Sequence, residues 1–112
     1  FIRRMTCKCT YLAGEDVLLS CGLNTWTKRD AILELSFLIN KRQRMLSPQM
    51  VEVLIDGKIV HTFGAADFEY KENVVNLKKE IAISNGKKLE IKIYKSREVN
   101  KSIIASDEIQ LY

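Results

Sequence analysis

Three cysteines, Cys7, Cys9 and Cys21, and a single histidine, His61, are the only thiol and imidazole groups in the chain. Cys7-Lys8-Cys9 is too tight for the usual spacing of paired zinc thiolates, and one histidine does not complete a set, so no metal is expected. His61 sits among Val60, Thr62 and Phe63 with no nucleophile motif beside it, the setting of a strand histidine rather than a general base. Asp67, Glu69 and Glu72 offer carboxylates for acid–base work, but alternating acids on the wet face of a strand account for them. No glycine-rich phosphate loop is present. The residues therefore point away from an enzyme and call for no cofactor.

What remains is electrostatic. Eighteen Lys and Arg stand against fourteen Asp and Glu, a net charge of +4. Dedicated nucleic-acid binders are more basic or interleave aromatics with the charges, so no nucleic-acid partner is expected. A modest surplus suits an anionic membrane surface if it is focused on one face. Six cations do concentrate, in two stretches: Lys41, Arg42 and Arg44, then Lys95, Arg97 and Lys101, the second holding Glu98 as its only acid. A second candidate patch, Lys58, Lys78 and Lys92, is diluted by Glu80 and Glu90, and ordinary cross-strand pairing explains it better. The odd number of cysteines argues for a reducing compartment.

These side chains need a scaffold. With 112 residues, 46% of them hydrophobic, the chain can fill one core without a disulfide or metal staple. No apolar run approaches the ~20 residues of a membrane-spanning helix. The sequence opens on Phe1 and is read as part of a larger protein, with residues 1–15 an N-terminal extension and residues 16–112 a single domain. The dominant period is two. Val51, Val53 and Ile55 form one row. Val75, Leu77, Ile81 and Ile83 form a second, interrupted by Lys79, and Leu89, Ile91 and Ile93 a third. Such alternation marks strands with one dry face. Val17–Leu23 reads as an earlier strand, and Ile109 and Leu111 mark a last one. Asp56-Gly57 and Asn85-Gly86 both read as tight hairpin turns. Trp26, near Tyr11, reads as a core anchor. Residues 31–46 stay open on pattern alone. Asp30 could cap a helix that ends at Ser47-Pro48, or Leu33, Leu35, Phe37 and Ile39 could line a strand that leads into a basic loop.

The order of these pieces resembles a C2 domain, an antiparallel eight-stranded β-sandwich that often docks on phospholipid. Leu33-Glu34-Leu35-Ser36-Phe37-Leu38-Ile39 is similar to the family's early leucine-x-valine-x-valine strand, with 40–49 as the first apical loop. Lys88–Tyr94 resembles the strand that carries an aromatic before the third apical loop. Lys101–Leu111 resembles the family stretch that returns from that loop, with Ile104-Ala105 where the family has isoleucine-glycine. The resemblance implies an all-β, C2-like sandwich of eight (or seven) antiparallel strands, and a strand plus loop over 31–49. It also implies that calcium has no site. Calcium needs about six to eight oxygen ligands, and the two apical loops carry cations where the family's aspartates would be.

On that resemblance the chain is expected to be a calcium-independent, cytoplasmic, peripheral-membrane interaction module. Lys41, Arg42, Arg44, Lys95, Arg97 and Lys101 would meet an anionic phospholipid surface or an acidic protein partner, and Met45 and Leu46 would insert at the interface. At roughly 1 kcal/mol per cation, six give about 6 kcal/mol before losses. The alternative is a structural or adhesion sandwich, immunoglobulin-like or capsid-type, in a larger assembly, with a Cys7–Cys21 or Cys9–Cys21 bridge.

Overall fold

A computed structural model describes residues 5–7, 11–24, 26 and 29–112. Among the described residues ten strands form: β1 (Met5–Cys7), β2 (Tyr11–Ala13), β3 (Val17–Gly22), β4 (Asp30–Leu38), β5 (Met50–Ile55), β6 (Lys58–Phe63), β7 (Glu69–Lys71), β8 (Val74–Ala82), β9 (Lys88–Tyr94) and β10 (Ile104–Leu111). Two single 3-10 turns, Lys41–Gln43 and Ala65–Asp67, complete the regular structure, and no α-helix occurs among the described residues. All strand pairings are antiparallel.

The strands divide into two sheets, a six-stranded one ordered β1-β10-β4-β8-β7, with β2 also on β10, and a four-stranded one ordered β3-β9-β5-β6. The inward rows Leu33, Leu35 and Phe37 of β4 and Val75, Leu77 and Ile81 of β8 meet Val51 and Val53 of β5 and Leu89, Ile91 and Ile93 of β9 in one core. Burying each such side chain is worth roughly 1.5–3 kcal/mol, which is what holds the two sheets face to face. The chain is thus an all-β sandwich.

Several sequence expectations are settled by this arrangement. Residues 30–38 are a strand, and the helix alternative over 31–46 fails. As the strand between β10 and β8, this segment buries every second residue, and burial overrides the helix propensity of its leucines. Asp56-Gly57 is the expected hairpin turn, with φ of 50° and 84°. Its carboxylate also accepts the backbone N–H groups of Lys87 and Lys88, tying the turn to the start of β9.

Asn85-Gly86 is not a hairpin turn. β8 lies in the six-stranded sheet and β9 in the four-stranded one, so the turn carries the chain across the core. Ser84 and Asn85 supply the positive φ. Gly86 is required for another reason: a Cβ there would collide with Cγ2 of Ile55 and lie 3.0 Å from the Ile83 carbonyl. Seven or eight strands were expected and ten form. The additions are the three-residue β1, β2 and β7, too short to show alternation. Within residues 1–15, expected as an extension, β1 and β2 line the outer edge of β10, against Ile109–Leu111 and Ile104–Ser106.

Lys79 interrupts an apolar row where β8 becomes an edge strand, paired only with β4. β7 covers only Val74–Asn76 of β8. Beyond it the Lys79 stem follows the core margin and its ammonium meets Asp67 Oδ1 at 3.1 Å. The Gly64 N–H donates to the other oxygen of Asp67 at 3.0 Å. That hydrogen bond, and then Lys79, hold the Asp67 carboxyl below its ordinary value of 3.8. A depressed folded pKa means that the ionised form supports the fold. Its contribution is complete above the ordinary value and is lost as pH falls through the lower, folded one. The unfolding midpoint of the parent chain should therefore exceed that of Asp67→Asn at neutral pH, and the gap should close as pH falls through the lowered folded value. Paired melts across that range check it, and a gap that persists in acid would contradict the assignment.

Candidate functional site

Three connections gather at one end of the sandwich. The β4–β5 connection (39–49) meets the β7–β8 turn where the Ile39 N–H donates to the Asn73 carbonyl at 2.8 Å. It meets the β9–β10 connection (95–103) through two bonds, Ile103 N–H to the Arg44 carbonyl at 2.7 Å and Leu46 N–H to the Ile103 carbonyl at 3.3 Å. An open depression of about 410 Å³ lies between the β4–β5 connection, the β9–β10 connection and the chain around β7, bordered by Gln49, Ala65, Tyr70, Ser96, Arg97 and Glu98.

The β4–β5 loop is closed on itself. Asn40 and Met45 exchange backbone hydrogen bonds of 2.8 and 2.9 Å, and the Asn40 side chain accepts from the Gln43 N–H. Arg44 leaves the 3-10 turn with φ of 60°. Lys41, Arg42 and Arg44 are all exposed on this tight loop. Lys101, also exposed and with φ of 59°, lies two residues before Ile103 and so belongs beside the same loop. Among the described residues none of these four cations forms an ion pair.

The other two expected cations sit differently. Lys95 donates its backbone N–H to Asp16 Oδ1 and its ammonium to the Gly14 carbonyl, both at 2.9 Å. Arg97 meets Asp16 Oδ2 at 3.3 Å. The six cations thus share one end of the sandwich but form two groups, four unopposed and two occupied. Acids of the neighbouring connections, Glu15, Asp16, Asp67, Glu69 and Glu72, stand at this end as well. Asp67, Glu69 and Glu72 do not alternate along one strand. They occupy a 3-10 turn, β7 and the turn into β8.

Met45 and Leu46 are half-buried, and their backbones are committed to Asn40 and Ile103. The large apolar side chains exposed at this end are others, Val99 (45% exposed) and Tyr70 (60%). Sequence reasoning also passed over Asp16. Its partner Lys95 is 79 residues away, and no local pattern connects them.

The remaining candidates are accounted for structurally. Lys78 lies on the six-stranded sheet, and Lys58 and Lys92 on the four-stranded one, so the three make no common patch. Lys92 stands 4.8 Å over the Tyr94 ring, whose hydroxyl donates to Glu52. Tyr94 foremost, then Glu52 and Asp16, hold the Lys92 ammonium above its ordinary pKa. His61 stacks on Phe63 at 5.5 Å on β6. Trp26 packs against the core. Cys7 and Cys21 lie on strands of different sheets, and Cys9 falls outside the described residues. Among the described residues no three His, Cys, Asp or Glu side chains come together as a metal would require. Compared with family models, curated proteins and solved structures, the chain matches none.

Proposed function

We propose that this chain is a non-enzymatic, C2-like interaction module that docks without calcium on an anionic phospholipid surface, as a cytoplasmic, peripheral-membrane part of a larger protein. The observation that supports this is the group of four exposed cations, Lys41, Arg42, Arg44 and Lys101, with no ion-pair partner among the described residues. A stiff loop that displays cations over a short span concentrates positive potential where a leaflet can approach. Calcium has no part in this reading. The one aspartate beside the β9–β10 loop, Asp16, already accepts from Lys95 and Arg97. Because Met45 and Leu46 are half-buried, the attraction is chiefly electrostatic and should weaken steeply with salt.

Co-sedimentation with vesicles tests the reading. The chain should pellet with phosphatidylserine-containing vesicles at low ionic strength and stay in solution with pure phosphatidylcholine. Calcium should make no difference, and raising the salt should release it. Absence of binding to both phosphatidylserine and phosphoinositide vesicles at low salt, with or without calcium, would sink the proposal in favour of a sandwich that makes only protein contacts.

A further inference from the structure

We infer that Asp16 is a built-in competitor for the anionic surface, a clasp that holds Arg97 back from it. The inference rests on the membrane reading above and concerns how that surface is regulated. The segment from Gly14 to Asp16 joins β2, on the six-stranded sheet, to β3, on the four-stranded one. The β9–β10 connection makes the same crossing beside it, since β9 pairs with β3 and β10 with β2. Two crossovers run side by side, and Asp16 is the staple between them. Both its oxygens are engaged, one by the Lys95 N–H at 2.9 Å and one by the Arg97 guanidinium at 3.3 Å, while the Gly14 carbonyl takes the Lys95 ammonium at 2.9 Å.

These contacts serve two purposes that pull in opposite directions. The bond to the Lys95 N–H shapes the β9–β10 loop, and so places Lys101 beside the β4–β5 loop. The contact to the Arg97 guanidinium neutralises one of the six cations gathered at this end, while the Lys95 ammonium, on a neutral carbonyl, keeps its charge. The clasp is nevertheless weak enough to yield. The Arg97 and Asp16 side chains are 60% and 29% exposed, and ion pairs so open to water hold loosely. A sparse anionic surface meets the other cations. A dense one, offering many phosphates near Arg97, displaces the carboxylate and recruits Arg97. Binding should therefore rise more steeply with the fraction of anionic lipid than a fixed set of charges would allow.

Binding to vesicles of graded phosphatidylserine content, in phosphatidylcholine, tests the clasp with Asp16→Asn, Glu15→Gln and the double variant Asp16→Asn with Arg97→Ala. Glu15→Gln removes an acid next to Asp16 without releasing a cation. Each cation near an anionic leaflet changes affinity by about fivefold. Asp16→Asn should therefore bind at least about fivefold more tightly than Glu15→Gln, with a shallower dependence on phosphatidylserine. On sparse vesicles the double variant, which removes the pair without leaving a charge, should bind within about twofold of the parent and about fivefold more weakly than Asp16→Asn. Equal gains for Asp16→Asn and Glu15→Gln would overturn the clasp, as would a double variant that binds sparse vesicles about fivefold more weakly than the parent. Either result would leave the membrane reading standing, whereas no binding by the parent chain would remove both. If Asp16→Asn does not fold, Asp16→Ser, whose hydroxyl can still accept from the Lys95 N–H, takes its place under the same criteria.

Discussion

Neutralising Lys41, Arg42, Arg44 and Lys101 together should lower affinity for phosphatidylserine vesicles by about 10²- to 10³-fold, from roughly 1 kcal/mol for each cation at an anionic leaflet. The substitutions have to respect the backbone. Arg44 and Lys101 hold φ of 60° and 59°, a left-handed conformation that asparagine tolerates and alanine resists. Lys41→Gln, Arg42→Gln, Arg44→Asn and Lys101→Asn therefore remove charge without adding strain. Exposed changes of this kind usually move stability by no more than about 0.5 kcal/mol, so the melt should be nearly unchanged. A control with the same loss of net charge, Lys58, Lys78, Lys87 and Lys88 each to Gln, separates a site from a general surplus. These four are exposed and lie away from the β4–β5 loop. If both quadruple variants lose affinity alike, net charge alone does the work and the loop is no site.

The largest effect on stability is expected at Phe37. Its side chain is fully buried on β4, opposite Val75 of β8 on one side and Ser106 of β10 on the other. Phe37→Ala should cost about 3–5 kcal/mol, through lost transfer energy and the cavity left between the sheets. That is a large part of the 5–15 kcal/mol by which a typical domain is stable. The pattern across neighbours is as informative as the magnitude. Leu33→Ala and Leu35→Ala should each cost about 2–5 kcal/mol. Ile32→Ala and Leu38→Ala, half-buried on the other face of the sheet, should cost clearly less. Urea denaturation of the series reads the period directly. Large losses at Ile32, Leu35 and Ile39 with small ones at Leu33 and Phe37 would mean a helical face and would contradict the strand.

The core rows were legible from residue types alone. In β4, β5, β8 and β9 one face meets water and the other meets the opposite sheet, so alternation in the chain is the imprint of a boundary that every second side chain crosses. The Asp56-Gly57 hairpin was legible because its turn is local: four residues and two positive φ angles contain all of its physics. Asn85-Gly86 carried the same local signal and a different outcome. Turn chemistry reports that the chain reverses but says nothing of which sheet the next strand joins. That is decided by β9 pairing with β3 and β5 rather than with β8.

The candidate site divides in the same way. That Lys41, Arg42 and Arg44 occupy a loop was one of two readings open on pattern, and the pairing of β4 between β10 and β8 decided it. Charge count and the absence of acids in that stretch were available before any fold was known. Which cations remain unopposed was not, because an ion pair depends on distance in space. Asp16 is 79 residues from Lys95 in the chain and 2.9 Å from it in the fold. Equally, Met45 and Leu46 look insertable as letters and are half-buried through their ties to Ile103. The +4 surplus is a property of composition. Its reduction to four unopposed cations beside one loop is a property of packing, because only the closed sandwich brings Asp16 against the β9–β10 connection.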